Sequence, residues 1–250
     1  MAEHRFDILP LPYDARDDRL QFIFPSDRSH YRSVDLRPLL RLAHPNIEDQ
    51  GAQGSCGGHG MSHALEILFA QNNLECARDL SRAYAYWAAR KIMGTEDEDS
   101  GVDMRALCHG AKTYGCCKED LMPYSDTDFI TKPSAAALAD GAMRAGIVYS
   151  RCYSADAAIV ALLRQRPVVG GFLVRESFRE ISSTGIVPEV SAADAELGGH
   201  CMTLCGYDLA SNRVTLLNSW GAAWGDRGAC YVSLDWITQS NLGLYALAVI

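Results

Sequence analysis

Three short blocks lie far apart along this chain, and the need to bring them together limits the fold more than any other feature. The first is Asp49-Gln50-Gly51-Ala52-Gln53-Gly54-Ser55-Cys56, the second Gly198-Gly199-His200, and the third Leu217-Asn218-Ser219-Trp220-Gly221. His200 follows Cys56 by 144 residues and Asn218 follows it by 162. To assemble them, the C-terminal half must pack back onto the N-terminal half.

The intervening sequence changes its period. Met61, Ala64, Leu65, Leu68 and Phe69 recur at helical spacing and predict a helix over 56–72 that starts at the cysteine. Ser81 is the expected cap of a second helix through Tyr84, Trp87 and Ile92, ended by Gly94. Ser100 is the expected cap of a third, through Leu107 and Ala111 to Gly115. Two more helices are expected over about 133–144 and 154–165. After Pro167 short β-branched runs between glycine turns predict strands at 168–174, 201–207, 212–218, 229–234 and 244–250. Helices first and strands later imply an α+β protein with a helical lobe over about 46–128. A sheet or barrel lobe takes about 129–250 together with 33–45, and a cleft separates the two.

The residue types in the three blocks suit attack on an amide. A thiol is a weak nucleophile until a helix N-terminus or an imidazolium favours its thiolate, and Cys56 stands where a Gly-Ser turn gives way to the predicted helix. Histidine titrates nearest neutrality, so His200 is the candidate proton carrier. An imidazole must be held in one tautomer, and the Asn218 amide oxygen can do that.

With these residues in this order, the chain resembles the papain-like cysteine peptidases, in particular the short bacterial and viral type without a long helical pro-region. The His200 spacing falls within the window of about 130–150 residues known for papain-type enzymes, and Asn218 falls slightly beyond it. The resemblance implies that Gln50 and the Cys56 backbone N–H form an oxyanion hole and that Trp220 covers the His200–Asn218 bond. It further implies a substrate-lining role for Ser55, Gly57, Gly199 and Trp220, and for Ser100 and Gly101 in the wall of the pocket for the second residue upstream of the cut. Segments such as Gly185-Ile186-Val187-Pro188 and Trp224-Gly225-Asp226-Arg227-Gly228 add to the likeness, which spans roughly residues 33–250. Two positions depart from the family pattern. Gln53 replaces a cysteine that many relatives use in a disulfide, and Gly57 replaces a tryptophan. Gly57, Gly58 and Gly60 each cost a helix about 1 kcal/mol relative to alanine, so this helix start is either loose or closely approached by other backbone.

Residues 1–32 read as an irregular arm, shorter than the helical pro-region of family zymogens and able to act as a strap or short pro-segment across the cleft. The acidic run Glu96-Asp97-Glu98-Asp99 is a solvated loop or an attractor of cationic substrate segments. His59 and His63 are spaced i, i+4, but no glutamate follows His59 and no third ligand is identifiable, so no metal site is expected. No cofactor is implied.

With 250 residues, 48% hydrophobic and 22% charged, the chain can bury one substantial core. A net charge of −8 argues against nucleic acid or an anionic membrane as a partner and leaves a protein or peptide substrate. The N-terminal segment lacks a signal peptide's apolar core, which gives a cytoplasmic expectation, with export as an effector or packaging in a virion also compatible. In that compartment the nine cysteines, Cys116 and Cys117 among them, are expected as thiols. The activity expected is a thiol-dependent endopeptidase working through an acyl-enzyme. The same thioester could instead serve an acyltransferase or transpeptidase, and a silent peptide-binding module is the other alternative.

Overall fold

A computed structural model describes residues 4–9, 31–43, 47–72 and 79–249. In chain order the elements are β1 (Ile8–Leu9), β2 (Val34–Asp35), α1 (Arg37–Ala43), α2 (Cys56–Gln71), α3 (Arg82–Met93), β3 (Val102–Asp103) and α4 (Met104–Tyr114). There follow α5 (Ala135–Ala142), β4 (Val148–Cys152), α6 (Ala155–Leu163), β5 (Val168–Arg175), β6 (Glu196–Asp208), β7 (Arg213–Leu217), β8 (Ala229–Ser233), α7 (Leu234–Ser240) and β9 (Asn241–Ala248).

The later strands form one antiparallel sheet in the order β4-β9-β5-β6-β7-β8, with β2 added along β6. The long central strand β6 carries His200, and its pairing with β7 (Thr203 opposite Leu217) sets Asn218 at the strand end nearest to it. One apolar cluster joins this sheet to α1, α6 and α7 through Leu40, Ile159, Phe172, Trp236 and Ile237. A second cluster joins α2, α3 and α4 to the inner side of β5 and β9 through Met61, Leu65, Tyr84, Leu107, Val169 and Tyr245. Ala137 and Ile147 belong to this second cluster, so the helical core draws on residues beyond 128.

Helix α2 runs between the two clusters and is buried from Cys56 through Phe69. Such burial explains its glycines. A β-carbon at Gly58 would lie 2.4 Å from the Arg82 carbonyl oxygen, so the absence of a side chain lets α2 and α3 touch backbone to backbone. The glycine-rich start is therefore closely packed, the second of the two expectations.

Several elements differ from the sequence reading. Helix α4 begins at Met104 and is capped by Asp103, whose Oδ1 accepts from the Ala106 N–H at 2.7 Å; Ser100 is not its cap. Gly101, with φ +68°, interrupts the chain between them, and Val102–Asp103 is extended because it pairs with β1. Strand β4 and the seven-residue helices α1 and α7 escape periodicity because each is too short to display a face. No helix among the described residues is long and apolar enough to cross a membrane.

Candidate active site

Cys56 opens α2, so its sulfur lies where free helix N–H groups converge. The backbone N–H groups of Cys201, Asp7 and Gly57 point at it. Cys201 is the residue after His200, so the β6 backbone at this point and the α2 N-terminus meet at the sulfur.

The protonation of His200 follows from its neighbours. Asn218 Oδ1 accepts from the Ser219 backbone N–H at 2.8 Å, which fixes that atom as the amide oxygen. His200 Nε2 lies 2.6 Å from the same oxygen and must therefore carry a hydrogen and donate. In the neutral ring the proton-accepting nitrogen is then Nδ1, which is buried with no hydrogen-bond partner among the described residues. The Trp220 ring lies over this pair, 5.0 Å from the imidazole centroid, and is itself backed by Phe178 and Trp224.

The segment before the cysteine is stitched to the third block. Asp49 bridges Trp220, the Gln50 N–H donates to the Ser219 carbonyl at 2.8 Å, and the Gly221 N–H donates to the Glu48 carbonyl at 2.9 Å. The Gln50 side chain is fully buried, with Oε1 accepting from the Ser219 hydroxyl at 2.6 Å and Nε2 donating to the Gln53 carbonyl at 2.9 Å. Tyr124 closes the loop from outside: its hydroxyl donates to the Gln50 carbonyl at 2.8 Å and meets the Ser55 hydroxyl at 2.7 Å. Where many relatives place a cysteine, Gln53 donates to the Ser125 carbonyl at 3.0 Å, and the Gly54 N–H donates to Asp99 at 3.1 Å. Hydrogen bonds thus hold the loop that a disulfide holds in those relatives.

Residues 4–9 of the arm lie in the cleft. Ile8–Leu9 pairs in parallel with Val102–Asp103 on one side, and Asp7 bridges Gly199 in parallel on the other. Both walls are glycine at the contact: a β-carbon at Gly101 would lie 2.1 Å from the Asp7 carbonyl oxygen, and one at Gly199 would lie 1.9 Å from that of Ile8. Ile8 is buried with Val102, Met104 and Cys201, while His4 stacks on Trp220 at 4.8 Å and pairs with Asp49 at 2.9 Å. Under this cover Cys56 is 0% exposed. Burial pushes its thiol up to about 12 and pulls the His200 imidazole down to about 4, so both are neutral in this state. The sequence reading expected the helix dipole to favour a thiolate, but here desolvation outweighs the dipole.

Gly101, Gly199 and Trp220, expected along the substrate path, touch the arm. Ser55 turns its hydroxyl to Tyr124, Gly57 lies beneath the Val102 side chain, and Ser100 bonds to Thr95, so the Ser55 and Ser100 hydroxyls and the Gly57 α-carbon are engaged away from the arm. Tyr124 and the role of the Ser219 hydroxyl were not foreseen. Tyr124 sits in a loop without periodic signal, whereas Ser219 stood inside a recognised block. His59 Nδ1 donates to the Ser55 carbonyl at 3.1 Å and His63 faces Glu48 at 3.1 Å, so the two rings serve different partners. Among the described residues no group of three His, Cys, Asp or Glu side chains is placed to hold a metal ion.

This arrangement defines a thiol hydrolase of papain-like architecture, and comparison with known proteins agrees. The family model for papain family cysteine proteases matches residues 31–248. Over 220 residues the sequence is 29% identical to an uncharacterized peptidase C1-like protein of Acanthamoeba polyphaga mimivirus, covering 83% of this chain and 71% of that one. The crystal structure of xylellain, a cysteine protease from Xylella fastidiosa, superposes with a TM-score of 0.85 at 25% identity over 100% of this chain and 99% of that one. Digestive procathepsin L 3 of Tenebrio molitor larval midgut shares the fold at a TM-score of 0.65 and 18% identity, over 94% of this chain and 76% of that one. The chain belongs to the papain family and is a papain-like cysteine peptidase with the two-lobe α+β fold. Its substrates are peptides or proteins.

Proposed function

We propose that Cys56, His200 and Asn218 form the triad of an endopeptidase that its own N-terminal arm holds latent. Once the arm leaves, water returns to the cleft and the desolvation of both groups falls. The helix N-terminus then favours the Cys56 thiolate and His200 holds the proton. The sulfur attacks the substrate carbonyl, and the oxyanion is met by the Cys56 N–H and by the Gln50 Nε2 hydrogen not committed to Gln53. His200 delivers its proton to the leaving amine, and Asn218 keeps the ring in register throughout. Water activated by His200 then resolves the acyl-enzyme and frees the thiol.

The observation that carries this reading is the unpartnered Nδ1 of a ring clamped through Nε2, in the residue before the one whose N–H points at the sulfur. Latency is supported by the arm's carbonyls. The Asp7 carbonyl is taken by the Val102 N–H at 3.2 Å, so it is not offered to the oxyanion donors and the arm fills the cleft without being in line for attack.

Labelling with an irreversible thiol-directed epoxide tests both parts. Ile8→Glu puts a carboxylate where a buried aliphatic packs and expels the arm. The full chain carrying it should label rapidly at Cys56, the native chain slowly, and the Ile8→Glu chain with His200→Ala hardly at all. Equal labelling of the first and last would remove His200 from the mechanism; equal labelling of native and Ile8→Glu would remove the latency.

A further inference from the structure

The acidic run before Gly101 separates into residues with different tasks. Glu96 pairs with Lys91, Asp97 with Lys132 at 3.1 Å, and Glu98 is exposed. Asp99 alone of the four enters the cleft. Its Oδ1 accepts from the Tyr86 hydroxyl at 2.7 Å and the Gly54 N–H at 3.1 Å, which holds the carboxylate two residues upstream of the nucleophile. A β-carbon built on Gly54 would touch two carboxylates at once, Asp7 Oδ2 at 2.5 Å and Asp99 Oδ1 at 3.0 Å.

Two like charges this close repel, and the arm supplies a third group between them. Arg5 pairs with Asp7 at 2.8 Å, with the Asp99 carboxylate, and with the Asp99 carbonyl at 3.1 Å. The arm therefore presents the wrong charge at this place and compensates with a guanidinium two residues away. Asp7 is also the arm residue that bridges Gly199 and whose N–H points at the Cys56 sulfur. A substrate residue taking its place sets its side chain beside Asp99, next to the sulfur.

The geometry points to Asp99 as a specificity-determining residue that selects a cationic side chain, arginine or lysine, in the substrate residue lodged beside the Cys56 sulfur. An arginine there meets Asp99 directly and needs no intermediary. A glutamate there meets the same repulsion as Asp7 without the Arg5 that relieves it. The inference rests on the peptidase reading of Cys56 above.

The test uses the full chain carrying Ile8→Glu and fluorogenic peptides that differ only in that residue. Cleavage of the arginine peptide should exceed that of the glutamine peptide by about ten-fold or more in kcat/KM, with the glutamate peptide slowest. Asp99→Asn keeps an Oδ1 for both Tyr86 and Gly54. It should abolish the arginine advantage while the glutamine peptide stays within about two-fold. Equal rates on arginine and glutamine peptides, or an Asp99→Asn loss that falls on both alike, would overturn the assignment. Binding of the same peptides to the chain carrying both Ile8→Glu and Cys56→Ala separates this claim from the chemistry. If nothing is cleaved but the arginine peptide binds about ten-fold tighter in an Asp99-dependent way, the peptidase reading falls and Asp99 selection stands. Indifferent binding overturns the selection whatever the cleavage.

Discussion

The Ser219 hydroxyl donates to Gln50 Oε1 at 2.6 Å, and the Gln53 carbonyl, which can only accept, faces the other end of the buried amide and fixes it as the donor. With the oxygen so tied, Nε2 faces Gln53 with one hydrogen and keeps the other for an oxyanion. Gln50→Ala in the arm-released chain should lower kcat by about 10²–10³-fold, the cost of one oxyanion donor. Ser219→Ala should cost about ten-fold or less, because the backbone bond between Gln50 and Ser219 still holds the segment. Steady-state kcat and KM check this, and in both variants the loss should fall on kcat with KM nearly unchanged.

Helix α2 should resist a change that helix propensity favours. Alanine is better than glycine in a helix by about 1 kcal/mol, yet at position 58 its methyl would meet the Arg82 carbonyl oxygen at 2.4 Å. Neither backbone can yield cheaply, and overpacking costs about 1–3 kcal/mol. Gly58→Ala should therefore be net destabilising, seen as a lower urea midpoint at unchanged slope. A stabilised Gly58→Ala would mean that α2 and α3 are not held at this distance.

Acid should favour release of the arm, and the sign follows from His200. With the arm seated, burial holds the imidazole at about 4, against an ordinary value near 6.5. In a Cys56→Ala chain, where no thiolate shares the proton, the released state binds an additional proton between those limits, so falling pH shifts the balance toward release. A neutral solution keeps the closed state. In that variant the protection of the amides of residues 6–9, taken relative to their unstructured exchange rates at each pH, should fall between about pH 6.5 and pH 4, and adding His200→Gln should flatten that response.

Much of this architecture was legible in the sequence, for identifiable reasons. The α2 helix, the strands β5 to β9 and the meeting of the three blocks follow from period, turn residues and family motifs. The starts of β6 at Glu196 and of α4 at Met104 were not legible, because each depends on pairing with a distant segment. A strap across the cleft was open to residues 1–32 from the sequence, but which residues would make the contacts was not legible. Phe6, Asp7 and Ile8 show no pattern among themselves and become ordered through Gly101, Gly199, Trp220 and Asp99, none of which is near them in sequence. Tyr124 is a similar case, a lone loop tyrosine whose hydroxyl fits a gap made by residues 50–55.

The cysteines supply a direct count of what the arm conceals. Cys56, Cys108, Cys116, Cys117, Cys152, Cys201, Cys205 and Cys230 are all free and buried, and Cys76 lies outside the described residues. Burial raises Cys201, Cys205 and Cys230 above the ordinary thiol range, and Cys152 to about 12, so none of these offers thiolate at neutral pH. The other seven are packed among helix and sheet residues, Cys201 in the same cluster as Ile8 but with its Sγ against Gly60 of α2. Cys56 differs because its cover is the arm itself. Mass spectrometry after brief treatment with iodoacetamide should find the eight largely unmodified in the native chain and one new adduct, on Cys56, in the Ile8→Glu chain. Its rate should rise with pH through a lower midpoint than a free thiol's about 8.5, since the helix N-terminus and His200 then act on a solvated sulfur. An adduct spread over several cysteines would instead mean that Ile8→Glu loosens the core, and Cys56 labelling equal in both chains would mean that the arm does not guard it.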